Sequence, residues 1–246
     1  MTLKTKKTYY ISMKHYRLHD LLLISLLLSL AGCHSKMNIQ GTTSLAELEG
    51  RMLYLRIYSD GDLRAIDSSR VVHGRFHFDA EMDSVTMGSL FLGDESVMPI
   101  VIDETPLTVT LTETERRVSG SELNDSLYAF IRKKADLDEQ MQALPRRESQ
   151  MILEGLDHAD IITQLNQEAA QLSARNDQLV TAFIKAHMDD PLGPGVFMIA
   201  TSNNPYPVLT PQIEELITLA SPYFRSHAYV QEYVRMAKEN MEKMNE

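Results

Sequence analysis

Leu107 to Ile131 reads LTVTLTETERRVSGSELNDSLYAFI. Within this stretch the apolar side chains change from every second position to every third or fourth, and that change decides the fold. Leu107, Val109 and Leu111 fall on one face and Thr108, Thr110 and Thr112 on the other, the pattern of a half-buried strand. Pro106 stands at its first position, where a missing N–H is tolerated. Beyond Ser121, a residue suited to cap a helix, Leu123, Leu127, Phe130 and Ile131 follow the helical period. Ser119-Gly120-Ser121 therefore divides a β-domain, residues 37–120, from a helical domain, residues 121–246. The expected fold class is α+β: an antiparallel β-sandwich or open barrel, then an all-helical region with a long antiparallel helix pair.

Toward the N-terminus, Arg51 to Ile57 reads as a strand ending at the turn signal Ser59-Asp60-Gly61-Asp62, and Arg64 to Val72 returns beside it. Gly74 interrupts before Arg75 to Phe78, where Phe76 and Phe78 face inward and His73, Arg75 and His77 face outward. Met87 to Leu92 and Val97 to Ile102 bring the set to about seven or eight strands. Toward the C-terminus, Leu137, Met141 and Leu144 continue the first helix until Pro145 disfavours it. A second helix is expected from about Glu148 to His187. In it Ile162, Leu165, Ala169, Leu172, Asn176, Leu179 and Phe183 alternate steps of three and four. That seam fits pairing with the first helix better than a dimeric coil, and its lone Asn176 is the kind of residue that fixes register. Asp189-Asp190-Pro191 ends this helix and caps a short one carrying Val196, Phe197 and Ile199. Thr210-Pro211 and Ser221-Pro222 mark two further starts. A last helix, about Ser226 to Lys243, is expected to bury Tyr229, Tyr233 and Met236.

At the other end of the chain Lys4, Lys6, Lys7, Lys14 and Arg17 precede Leu21 to Leu30, an uncharged run followed by Ala31-Gly32-Cys33. The run fits the roughly 7–15 residues of a signal-peptide core and falls short of the ~20 of a membrane span. Leu30-Ala31-Gly32-Cys33 resembles the lipobox of bacterial lipoproteins. That resemblance implies cleavage after Gly32 and acylation, palmitate included, of Cys33, with residues 33–36 as a lipidated tether. Translation from Met13 would also leave a signal of ordinary proportions. His34, Ser35 and Lys36 follow the cysteine with no Asp next to it, which favours the periplasmic face of the outer membrane.

Removing residues 1–32 takes five basic residues and Asp20 from totals of 24 and 34, leaving 19 basic against 33 acidic and a net charge near −14. Such a balance opposes nucleic-acid phosphates and anionic lipid heads, so neither is an expected partner of the chain as a whole. The one cysteine, Cys33, is committed to lipid, which excludes a disulfide, a redox pair and thiol catalysis.

The rest of the chain offers little chemistry. His73 and His77, four apart on an extended strand, stand about 13 Å from each other, too far to share a metal. His34, His158, His187 and His227 lie in separate segments without metal-ligand spacing. The pairs Asp94/Glu95, Asp103/Glu104 and Glu214/Glu215 read as solvated neighbours, and Asp60-Gly61-Asp62 as a turn rather than a calcium loop. No phosphate loop or nucleophile elbow occurs. No catalytic residue, metal or cofactor is assigned, and the binding residues are left unknown.

Two stretches carry a family resemblance. Ile66 to Phe78, with Asp67-Ser68 and Gly74-Arg75-Phe76-His77-Phe78, resembles an N-terminal β-domain of unknown function found in lipid-anchored thioredoxin-like and peroxiredoxin-like proteins. Gly120-Ser121-Glu122-Leu123-Asn124-Asp125 is similar to the opening of the helical region in the same family. Physically these residues read as fold determinants: Gly74 allows a bend between strands, Phe76 and Phe78 fill the core, and Asn124 with Asp125 fit the first turn of a helix. In such relatives a thioredoxin fold with a cysteine pair follows, whereas this sequence reaches Glu246 with no such pair, so the redox activity is not carried over. Three functions are thus in play: a non-enzymatic scaffold or partner-binding module, an accessory subunit of a separately encoded thioredoxin-like oxidoreductase, and a ligand carrier or hydrolase with a pocket between the two domains. The lipid anchor is the expectation most directly checked. Cell fractionation should find the native chain in the membrane fraction and a Cys33→Ala variant lost from it.

Overall fold

Alternating apolar side chains need a second apolar layer to bury against, and this chain meets that need with two four-stranded sheets. The computed structural model describes residues 35–36, 38–59, 61–79, 81–202, 204 and 206–244. Cys33, the segment before it, His34 and Asp60 lie outside the described residues. From Lys36 onward the chain makes one compact unit. Its strands of four or more residues are β1 (Ile39–Thr43), β2 (Met52–Ser59), β3 (Asp62–Arg70), β4 (Arg75–Phe78), β5 (Thr86–Leu92), β6 (Glu95–Ile102), β7 (Leu107–Leu111) and β8 (Arg116–Ser119).

One sheet has the order β8-β7-β1-β4 and the other β3-β2-β5-β6. All neighbours are antiparallel except β1 and β7, which run parallel with Ile39 opposite Leu107 and Thr43 opposite Leu111. That pair qualifies the all-antiparallel expectation, and Leu107 rather than Pro106 is the first strand residue. Ile39, Phe76, Phe78, Leu107, Val109, Leu111 and Val118 of the first sheet share one buried cluster with Leu53, Leu55, Leu90, Met98, Ile100 and Ile102 of the second. A methyl group at Gly41 would come within 2.0 Å of the Phe76 ring, so glycine is required there. The β3–β4 connection turns at His73 (φ 51°) and Gly74 (φ 68°), two successive left-handed residues. Their N–H groups both donate to the Glu49 carboxylate, at 2.9 and 3.0 Å, which holds its pKa below the usual range.

The helices are α1 (Glu122–Leu153), α2 (His158–Ala186), α3 (Leu192–Thr201), α4 (Pro211–Leu219), α5 (Pro222–Ser226) and α6 (Ala228–Met244). Ser121, Thr210 and Ser221 each accept the backbone N–H three residues on, as the capping pattern predicts. The predicted stop at Pro145 and start near Glu148 are both corrected: α1 runs through Pro145 to Leu153. An interior proline costs about 3 kcal/mol. The helix carries that cost where Leu137, Met141, Leu144 and Met151 pack on Ile161, Leu165, Ala169 and Leu172 of α2. The chain turns instead at Gly155 (φ 82°), where the N–H groups of Gly155 and Leu156 bond back to Ile152 and Met151, a glycine-terminated helix end. Asp157 then caps α2. The seam is also shifted at its start, since Ile161 is buried and Ile162 is not. In α6 Val230, Tyr233 and Ala237 form the buried face, while Tyr229 and Met236 are half-buried.

The helices cover the second sheet on the face away from the first. Gly195 of α3 lies against Met87, Phe197 makes edge contacts with Phe224 and Tyr233, and Tyr58 meets Tyr229. The β-region and the C-terminal helices therefore share a single core.

The free edge of β6 is closed by side chains. The Asn124 carboxamide donates to the Val101 carbonyl at 2.8 Å and accepts the Val101 N–H at 3.0 Å, while Asn124 itself is fully buried. One turn on, the Tyr128 hydroxyl donates to the Pro99 carbonyl at 2.8 Å, and burial pushes its phenol well up from the usual range. Arg116 donates to the Val97 carbonyl at 3.2 Å. Asn124→Ala would leave two buried backbone groups unpaired, and should lower the free energy of unfolding by about 2–4 kcal/mol. Urea titration would show this as a lower midpoint with an unchanged slope.

Candidate functional site

The acidic pairs of the sequence take separate partners. Asp94 meets Arg56 at 3.5 Å, Asp103 accepts the N–H and hydroxyl of Thr105 in a local turn, and Glu215 pairs with Lys185 at 2.5 Å. His73 sits in the β3–β4 turn and His77 on the outer face of β4. His227 is largely buried with no partner for Nδ1, and burial alone lowers its pKa. Among the described residues no three His, Cys, Asp or Glu side chains are grouped to hold a metal ion. No described helix is long and apolar enough to cross a membrane.

One constellation went unread in the sequence. His187, at the end of α2, places Nε2 3.2 Å from the Ser126 hydroxyl on α1 and Nδ1 2.7 Å from Asp190 Oδ2. In acyl-transfer enzymes a serine and an imidazole form a proton relay, in which the imidazole takes the serine proton while a carboxylate orients it. Acyl transfer also needs N–H donors aimed at a developing oxyanion, and the nearby ones are engaged. Leu192 N–H bonds to Asp190 Oδ1, Gly193 N–H to the His187 carbonyl and Gly195 N–H to the Pro191 carbonyl. Ser126 lies within α1 rather than on a sharp strand-to-helix turn. The Phe183 ring lies 4.4 Å from the imidazole, with Phe130 4.5 Å beyond Phe183. The trio thus joins α1 to the α2–α3 corner. Its members are 61 and three residues apart, and no spacing rule would have found them.

The feature with the clearest means of contacting another molecule is the α1–α2 hairpin. Residues up to Phe130 of α1, and from Val180 of α2, belong to the main core. Leu137, Leu144 and Met151 of α1, with Ile161, Leu165 and Leu172 of α2, form a second cluster that includes no residue of the sheets. The steps of seven are those of a two-helix seam. An arm therefore extends past the main core by about 25 Å, the length of the helical turns from Leu137 to Leu153. Arg147 and Glu168 bridge its two helices. At its end Ile152, Leu153, Leu156 and Ile162 are all exposed, Leu153 to 88%. Within a few residues of these along the chain stand Glu148, Glu154, Asp157 and Asp160, against Arg146 and the paired Arg147.

Residues 37–127 match the family model of a domain of unknown function, DUF4369. The match takes in every strand from β1 to β8 and ends just past Asn124, so the side chain that closes the β6 edge belongs to the matched domain while most of the arm lies beyond it. No curated protein matches the chain.

A joint built on the His187 imidazole should depend on His187 and Asp190 more than on Ser126. His187→Ala should cost about 1–2 kcal/mol of unfolding free energy and Ser126→Ala distinctly less, as chemical denaturation of the three proteins would measure.

Proposed function

We propose that this is a noncatalytic, lipid-anchored protein of the bacterial envelope that holds a protein partner on the tip of its α1–α2 arm. The single observation carrying this reading is the group Ile152, Leu153, Leu156 and Ile162, left in solvent at the end of a two-helix projection. Exposed apolar side chains gathered at one place are costly in water and mark contact surfaces. The acidic rim selects the occupant: a protein presenting an apolar pocket with basic residues around it. Negative charge around the tip opposes insertion among anionic lipid heads. The lipobox-like Leu30-Ala31-Gly32-Cys33 supports the anchor, and the outer membrane facing the periplasm is the favoured site. The packed apolar junction between sheet and helices gives no support to a ligand pocket there. A separately encoded thioredoxin-like protein is the partner class that the family resemblance implies.

The test places a photo-crosslinking benzoylphenylalanine at Leu153 in the full chain with its native signal, and at Gln140 on the side of the arm as a control. Irradiation of living cells should give one discrete protein adduct from position 153 and none from 140. The identified protein should bind the purified native chain, with at least about tenfold loss on Leu156→Glu. Adducts to lipid alone, equal adducts from both positions, or binding indifferent to Leu156→Glu would overturn the proposal.

A further inference from the structure

A second region of the molecule has unspent binding capacity. On the outer face of the first sheet, Thr42 pairs across with Arg75 and Gln40 with His77. Beside them, at the end of β3, lies an open cavity of about 630 Å³ whose lining includes Arg70, Arg75, His77, Asn38 and Gln40 together with Val72 and Phe76. Asp79 is the one carboxylate among its lining residues. Arg70 is oriented by a 2.8 Å hydrogen bond from Nη1 to the Gly50 carbonyl, leaving its remaining N–H groups available. Among the described residues no carboxylate forms an ion pair with Arg70, Arg75 or His77. Three basic side chains around one cavity, none with an ion-pair partner among the described residues, point to an anion from outside.

Two guanidinium groups suit an oxyanion that can accept paired N–H donors, as phosphate does. The tether says where such a group is found. Asn38, on the cavity wall, is five residues from Cys33, at most about 17 Å of extended chain. An acylated Cys33 sits at the bilayer surface, so the tether lets the cavity reach the headgroup layer. We infer that the Arg70–Arg75–His77 cavity binds the phosphate of a membrane lipid headgroup; the choice of a lipid source rests on the lipid-anchor reading, and the phosphate chemistry does not. Headgroup binding would seat the outer face of the first sheet against the membrane.

The lipidated full chain, in nonionic detergent, is titrated with glycerol phosphate and with inorganic phosphate at constant ionic strength, following the His77 imidazole by NMR with His77→Gln for assignment. A saturable shift is expected, weakened at least about tenfold by Arg70→Gln or Arg75→Gln and unchanged by Lys238→Gln on α6. The same chain in discs of phosphatidylethanolamine and phosphatidylglycerol should exchange the amides of residues 75–79 more slowly than in discs of phosphate-free galactolipid. Saturation by soluble phosphates with equal exchange in both discs overturns the headgroup assignment. No saturable shift overturns the site itself. The anchor fails separately, and only if Cys33→Ala stays with the membrane.

Discussion

An edge strand has a row of N–H and C=O groups that must find partners, and here the answer to β6 organises the molecule. Arg116, Tyr128 and Asn124 satisfy the carbonyls of Val97, Pro99 and Val101 in turn, and Asn124 takes the Val101 N–H as well. Pro99 has no N–H to satisfy, which is why proline is acceptable at that edge position. A second partner strand would have closed the edge with backbone. Side chains from a helix close it instead, and in doing so fix the direction in which α1 leaves the sheet. Everything downstream inherits that direction, because α2 packs on α1 and α3 packs on the sheet face next to it. The same closure removes an edge that would otherwise pair with other chains.

What could be read in advance was local. The Leu107–Leu111 alternation, the Phe76 and Phe78 face, and the caps at Ser121, Thr210 and Ser221 depend on neighbours within a few residues, and each appears where its pattern places it. The parallel pairing of β1 with β7 joins segments nearly seventy residues apart, and nothing in either strand names its partner. Pro145 predicts a stop that the chain makes only at Gly155. Proline penalises a helix by an amount that packing can offset, whereas a left-handed glycine with two reversed hydrogen bonds ends it outright. Asn124 was legible as a helix first-turn residue, but its part in closing the β6 edge needed the register of a strand 23 residues earlier.

The candidate sites divide in the same way. The outward side of His77 and Arg75 followed from alternation, but the cavity beside them also takes Arg70 from the end of β3 in the other sheet, a tertiary fact. The apolar tip arises from the displaced helix boundary: residues expected in the body of a second helix form the last turn of α1, the loop after it and the start of α2. Ser126, His187 and Asp190 show the opposite hazard. Distances alone suggest a relay, and only the occupied N–H groups around them identify a joint.

The arm's heptad spacing has a consequence for its length. Because the distal cluster is built from α1 and α2 alone, removing seven residues from each helix would take out one layer of the seam and keep the remaining layers in register. The tip would then withdraw by about 10 Å with the sheets untouched. Reach is thus encoded separately from fold, and the arm serves as a ruler whose graduations are single heptads.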